Sequence, residues 1–167
     1  MASTPAAPAA IGPSLNFQPA FNRVAQSQDC DCAFACIASI ANKSLDEVKE
    51  AAVKQFKFPR HGLYWIGEEL IAKLLAHFGF VATVYKETTT ISELPTVAIL
   101  MVDYDQETEI GRHVLFVRQA GSSGKAAVEY IIDPAPWLPI EKQIRTDVKG
   151  LPSAYYIGVH PMKPAGK

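Results

Sequence analysis

Cys32-Ala33-Phe34-Ala35-Cys36-Ile37-Ala38-Ser39-Ile40-Ala41 is apolar at almost every position. A helix that is apolar all round has no face to offer water, so it belongs at the centre of a domain with other elements packed about it. The stretch before it, Asn22 to Asp31, is polar, and Asp29 or Asp31 is placed to cap the helix start. Just after it, Ser44-Leu45-Asp46-Glu47 forms a capping box, which sets a second helix from about Leu45 to Gln55. Phe56 to Tyr64, with Pro59 and Gly62, reads as a loop. A third helix carries Ile66, Leu70, Ile71, Leu74, Leu75 and Phe78 at helical spacing and stops at Gly79.

Beyond Gly79 the pattern changes. Val81–Tyr85, Thr96–Val102, His113–Arg118, Ala127–Ile132 and Tyr155–Val159 are rich in β-branched and aromatic residues and are separated by Gly, Pro, Ser and Asp. Helices first and strands afterwards predict an α+β fold, with N-terminal helices packed on a mostly antiparallel sheet.

The 167 residues suit one domain, and 49% hydrophobic with 20% charged residues is ordinary for a globular chain. A net charge of -1, with no basic stripe, argues against a nucleic-acid partner. The longest apolar runs, Ala33–Ala41 and Thr96–Val102, fall short of the roughly 20 residues of a membrane span. Met1 to Gln18 is rich in Ala, Pro and Ser, and lacks the basic start and Leu-rich block of a secretory signal. It reads as a disordered leader over residues 1–18, ahead of a single domain over 19–167, and the default location is cytoplasmic. Three cysteines clustered within seven residues do not form a disulfide framework.

A thiol attacks as its thiolate, and a helix start lowers a thiol pKa through unpaired amides and the helix dipole. Cys32 sits at such a start, which makes it the nucleophile candidate against the plainer reading of a buried small hydrophobe. Cys36 falls one turn on, inside the apolar run, and Cys30 stands between two aspartates that disfavour a thiolate. Among the four histidines, His77 and His160 read as structural or solvated and His61 as a loop residue. His113 opens an apolar strand.

The strand from His113 and the strand ending at Asp133 are joined by Ala120-Gly121-Ser122-Ser123-Gly124-Lys125. If the hairpin turn centres on Ser123, His113 faces Asp133 on one side of the sheet, and a carboxylate there orients the imidazole. The plainer reading is that Asp133-Pro134 simply ends a strand. A competing use of Cys30, Cys32 and Cys36 is a thiolate metal site with a histidine, although the Cys-x-Cys-x3-Cys spacing fits a zinc knuckle poorly.

Gln26-Ser27-Gln28-Asp29-Cys30-Asp31-Cys32-Ala33-Phe34-Ala35-Cys36-Ile37-Ala38 resembles the active-site start of the bacteriocin-processing, double-glycine leader peptidases, a papain-like family. Leu94-Pro95, Gly111-Arg112-His113-Val114-Leu115 and Ile131-Ile132-Asp133-Pro134-Ala135 resemble later family segments in the same order, so the likeness spans about Val24 to His160. The resemblance implies a papain-like cysteine peptidase with Cys32 as nucleophile, His113 as base, Asp133 as its orienting carboxylate and Gln26 as oxyanion-hole glutamine. Ala33 departs from the family's glycine after the nucleophile, and Pro136-Trp137 from its glycine after Asp-Pro-Ala.

Family members usually form the front of a membrane exporter, whereas this chain carries neither membrane spans nor a phosphate loop, so the expectation is a stand-alone relative. The expected activity is peptide-bond hydrolysis on a peptide or protein substrate, with no cofactor and no metal. Glutamine deamidation or acyl transfer by the same triad, and peptide binding without cleavage, remain open. So does the oligomeric state.

Overall fold

The computed structural model describes residues 15–62 and 64–163. The apolar run is helix α1, Cys32–Ala41, entered through a 3-10 turn at Asp29–Asp31. Asp31 occupies the N-cap position, but neither it nor Asp29 caps through its side chain. The carboxylate of Asp31 is buried and bonded instead to Ser27 Oγ at 2.5 Å and Lys49 Nζ at 3.2 Å. The next helices are α2, Leu45–Phe56, which carries both arms of the Ser44–Glu47 capping box, and α3, Glu68–His77. Gly79 ends the third helical segment with φ +92°, a conformation glycine adopts without strain.

The strands are β1 (Phe80–Ala82), β2 (Lys86–Glu87), β3 (Val97–Asp105), β4 (Ile110–Gln119), β5 (Val128–Ile132), β6 (Ile144–Arg145) and β7 (Ser153–Pro161). They form a sheet in the order β1-β7-β3-β4-β5-β6, with β2 also paired to β7, and every pairing is antiparallel. Of the strand expected over Val81–Tyr85 only the first two residues lie in a strand, β1, while β2 starts just after Tyr85; the short helix α4 (Ile140–Gln143) and β6 had no expectation at all.

Alternation divides the sheet into two faces. Ile99, Leu115, Val117, Tyr130, Ile132, Ile157 and Val159 pack beneath the three long helices with Phe34, Ile37, Leu74 and Leu75. Ala98, Leu100, Val102, Val114, Phe116 and Ile131 form a second cluster on the far face, closed by Leu94 and Val148. Helix α1 therefore lies between the sheet, over β4, and helices α2 and α3. Ser39, its one buried hydroxyl, donates to Ala35 O and accepts from Val24 N, both at 3.0 Å, and so fastens the preceding segment to the helix.

Residues 1–14 of the expected leader lie outside the described residues, but its last part belongs to the domain. Leu15 and Phe17 pack on the core, and the Phe17 ring meets Tyr130 at 4.8 Å between centroids. The Tyr130 hydroxyl accepts from Ala20 N at 2.8 Å, and Gln119 Nε2 donates to Gln18 O at 2.9 Å. Phe17→Ala should therefore cost about 1–3 kcal/mol of stability in urea unfolding. An unchanged midpoint would return residues 15–18 to the leader.

Candidate active site

Cys32 stands at the first position of α1, where helix N–H groups lack intrahelical partners. Across the interface β4 brings His113, the fourth residue of that strand, on the face it shares with Leu115 and Val117. Nδ1 of His113 lies 3.4 Å from Cys32 Sγ, and the His113 backbone N–H donates to the same sulfur at 3.2 Å. On the other side of the ring, Nε2 lies 2.7 Å from the Tyr85 hydroxyl.

Asp133 is not the partner that the sequence suggested. The β4–β5 register pairs Leu115 with Ile132 and Val117 with Tyr130, one residue away from the register that sets His113 opposite Asp133. The turn explains the slip: Ser123 and Gly124 both have positive φ (49° and 81°), as inside a two-residue type I′ turn, so its centre falls between them. With a side-chain period of two, one residue moves Asp133 to the opposite face from His113. That face holds Arg112, whose Nη1 and Nη2 donate to the two Asp133 oxygens at 2.8 and 2.9 Å while Nε donates to Asp103 at 2.5 Å. Among the described residues no hydrogen bond joins Asp133 to His113. Burial opposes the Arg112 charge, and the bonds to Asp133 and Asp103 outweigh it and raise the Arg112 pKa.

Gln26 is also buried, close to Cys32 in sequence and tied by its N–H to Pro134 O at 2.9 Å. Its Nε2 donates to Gln28 O at 3.1 Å and reaches Asp29 O only at 3.5 Å, while Oε1 is buried without a partner. One amide hydrogen is thus weakly held. Cys36 lies inside the core, where burial pushes its thiol well up. Among the described residues no group of three His, Cys, Asp or Glu side chains is arranged to hold a metal.

Cys32 has no exposed surface, and His113 is only 3% exposed. Loss of water dominates both groups: it raises the Cys32 thiol to about 11, against the pull of the His113 and Ala33 amides and of Arg112, and lowers His113 to about 4. In this closed arrangement the thiol and imidazole are both neutral at ordinary pH. Gly111, two residues before His113, admits no side chain, since a Cβ there would lie 2.6 Å from Met101 Cγ and 2.9 Å from Val102 O.

A solved structure described as a double glycine motif protease from an AMS/PCAT transporter, in complex with the leader peptide, is similar to this chain. The TM-score is 0.53 at 16% identity, over 92% of this chain and 96% of that one. The fold is papain-like. No protein-family model matches the sequence, and neither does any curated protein. No helix among the described residues is long and apolar enough to cross a membrane.

Sequence reasoning placed Cys32 and His113 correctly for contact but passed over Arg112 and Tyr85. An arginine inside an otherwise apolar strand asks for a carboxylate, which was a usable signal for the Arg112–Asp133 pair. Tyr85 offered none, because its approach depends on where a short loop is anchored.

Two outcomes follow. Asp133→Asn strands a largely buried guanidinium and should cost on the order of 3 kcal/mol in urea unfolding; an unperturbed midpoint would show the pair to be dispensable. Iodoacetamide labelling of Cys32, located by peptide mapping, should rise about tenfold per pH unit from about pH 7 towards 11, because only the thiolate reacts. A flat rate across neutral pH would instead mean a standing thiolate–imidazolium pair.

Proposed function

We propose that this chain is a cysteine peptidase whose nucleophile is Cys32 and whose general base is His113. The observation that carries the reading is the 3.4 Å approach of Sγ to Nδ1 between residues 81 apart in sequence, at a helix start in a papain-like fold. A structural cysteine has no need of an imidazole at its sulfur.

As the thiol attacks a substrate carbonyl, its proton passes to His113 Nδ1 and a C–S bond forms. The oxyanion is held by the Cys32 amide and by the second hydrogen of Gln26 Nε2, released from its long contact with Asp29 O. The C–N bond then breaks, the leaving amine takes the proton from Nδ1, and a thioester remains. Water, giving a proton to His113, attacks the thioester and releases the acid with the thiol restored. Asp133 acts at one remove: its carboxylate holds Arg112, the neighbour of His113, and its backbone oxygen accepts from Arg23 Nε at 2.6 Å, close to Gln26. A cavity of about 390 Å³ lined by Gln28, Cys30, Asp31, Phe34, Phe58 and Tyr64 adjoins the helix start and offers room for a substrate chain.

The solved neighbour is a protease holding a leader peptide, which makes a peptide the first substrate class to try here. The complete burial of Cys32 favours one second reading, a peptide-binding domain that does not cleave. Incubation with a mixture of proteome-derived peptides, read by mass spectrometry, separates the two. Wild type should produce new termini, Cys32→Ala and His113→Ala none, and Gln26→Ala roughly 10²- to 10³-fold fewer with peptide affinity nearly unchanged. Peptide binding without cleavage under any condition would establish the binder, and conversion of glutamine to glutamate without new termini would make the same dyad a deamidase.

A further inference from the structure

We propose that Tyr85 is the positioning residue for His113: its hydroxyl oxygen accepts the Nε2–H, which leaves the Nδ1 lone pair facing the Cys32 thiol. This rests on the hydrolase reading above and names a residue that the sequence pattern did not supply. The oxygen sits 2.7 Å from Nε2, the ring planes are 27° apart, and His113 has no other side-chain partner beyond Cys32 among the described residues. An imidazole that offers Nδ1 as a base must carry its proton on Nε2, and a buried Nε2–H needs an acceptor. The phenol stays neutral while it serves, since burial and then the neighbouring Cys32 raise its pKa.

Tyr85 is held as a positioning group has to be. It lies in the short link between β1 and β2, both paired to β7. At the start of that link Thr83 N donates to Gly158 O at 2.9 Å and accepts in return, through Oγ1, from Gly158 N at 2.8 Å. The Tyr85 N–H donates to Glu68 Oε2 at 2.8 Å, at the start of α3. Tyr155 of β7 meets the ring edge to face at 6.3 Å and backs it from the sheet side. The other ionisable groups around the imidazole are Cys32 and Cys36 on α1, with Arg112 and Asp133 on the far face of the sheet. None of these is hydrogen-bonded to Nε2, so the Tyr85 hydroxyl is the side-chain partner of that nitrogen among the described residues.

The difference from a carboxylate is chemical. A carboxylate only accepts and stabilises the imidazolium by charge; a neutral hydroxyl accepts the Nε2–H and orients the ring without adding a negative charge beside it. Tyr85→Phe removes the oxygen and keeps the ring that packs on Tyr155, so a role in packing alone survives this change.

The test is ¹⁵N NMR of histidine-labelled protein, with the His113 signals assigned by loss in His113→Asn, together with iodoacetamide labelling of Cys32 at fixed pH. Wild type should show His113 protonated at Nε2 and unprotonated at Nδ1. Tyr85→Phe should show a mixture of tautomers and a rate at Cys32 lower by roughly three- to tenfold, the worth of one buried hydrogen bond, with its melting temperature little changed. Wild type protonated at Nδ1, or a Phe variant with the wild-type ring spectrum, overturns the proposal. The ring spectrum reads Tyr85 independently of turnover. Peptides left uncut by a wild type with the expected tautomer therefore count against the peptidase reading and leave the hold of Tyr85 on the ring intact.

Discussion

One carboxylate with no exposed surface, Asp133, joins the parts of this molecule that have to meet. Its two oxygens take both arms of Arg112 on β4, and one also accepts from the Ala135 N–H at 3.0 Å. Its backbone oxygen, with that of Ala135, accepts from Arg23, and the oxygen of Pro134 between them accepts from Gln26 N. The segment that leads into α1 is thereby tied to the strand end beside which His113 stands, and Ser39 ties the same segment to α1 from behind. A buried ion pair of this kind contributes little net stability against an apolar replacement, but losing one partner is expensive. Its value here is geometric: it ties the end of β5 to β4 and to the segment that leads into α1.

The energetics of the dyad follow from the absence of water. Burial pushes the Cys32 thiol up and the His113 imidazole down, so it opposes moving a proton from sulfur to nitrogen, while attraction between the resulting charges at 3.4 Å favours it. On the proposed peptidase reading, a substrate that brings a polar carbonyl beside Cys32 eases this opposition, because water and hydrogen-bond donors then share the charge.

Much of this architecture was legible in the residues. The apolar run Cys32–Ala41, the Ser44–Glu47 box and the stop at Gly79 are local signals, and each became the boundary it announced. The helix-first, strand-later order was enough for the fold class. What stayed hidden was set by long-range register. Whether Asp133 shares a face with His113 or with Arg112 turns on one residue in an eight-residue connection, and Ser123 gives no sign in sequence that it adopts positive φ. Likewise the hydroxyl of Tyr85 reaches His113 only because the link between two short strands is pinned to Gly158 of β7. Leu15 and Phe17 looked like part of a tail because the Ala, Pro and Ser around them outweighed two apolar side chains in any composition window.

The burial of Cys32 also bears on how long such a protein keeps its thiol. Peroxide and other electrophilic oxidants react with the thiolate, and the climb from sulfenic to sulfinic and sulfonic acid is irreversible at its upper rungs. A sulfur held neutral, with no surface open to solvent, stays off that ladder while idle. Exposure to oxidative damage then requires that the packing around the sulfur open first, so the lifetime of the thiol is set by how often the fold around it opens.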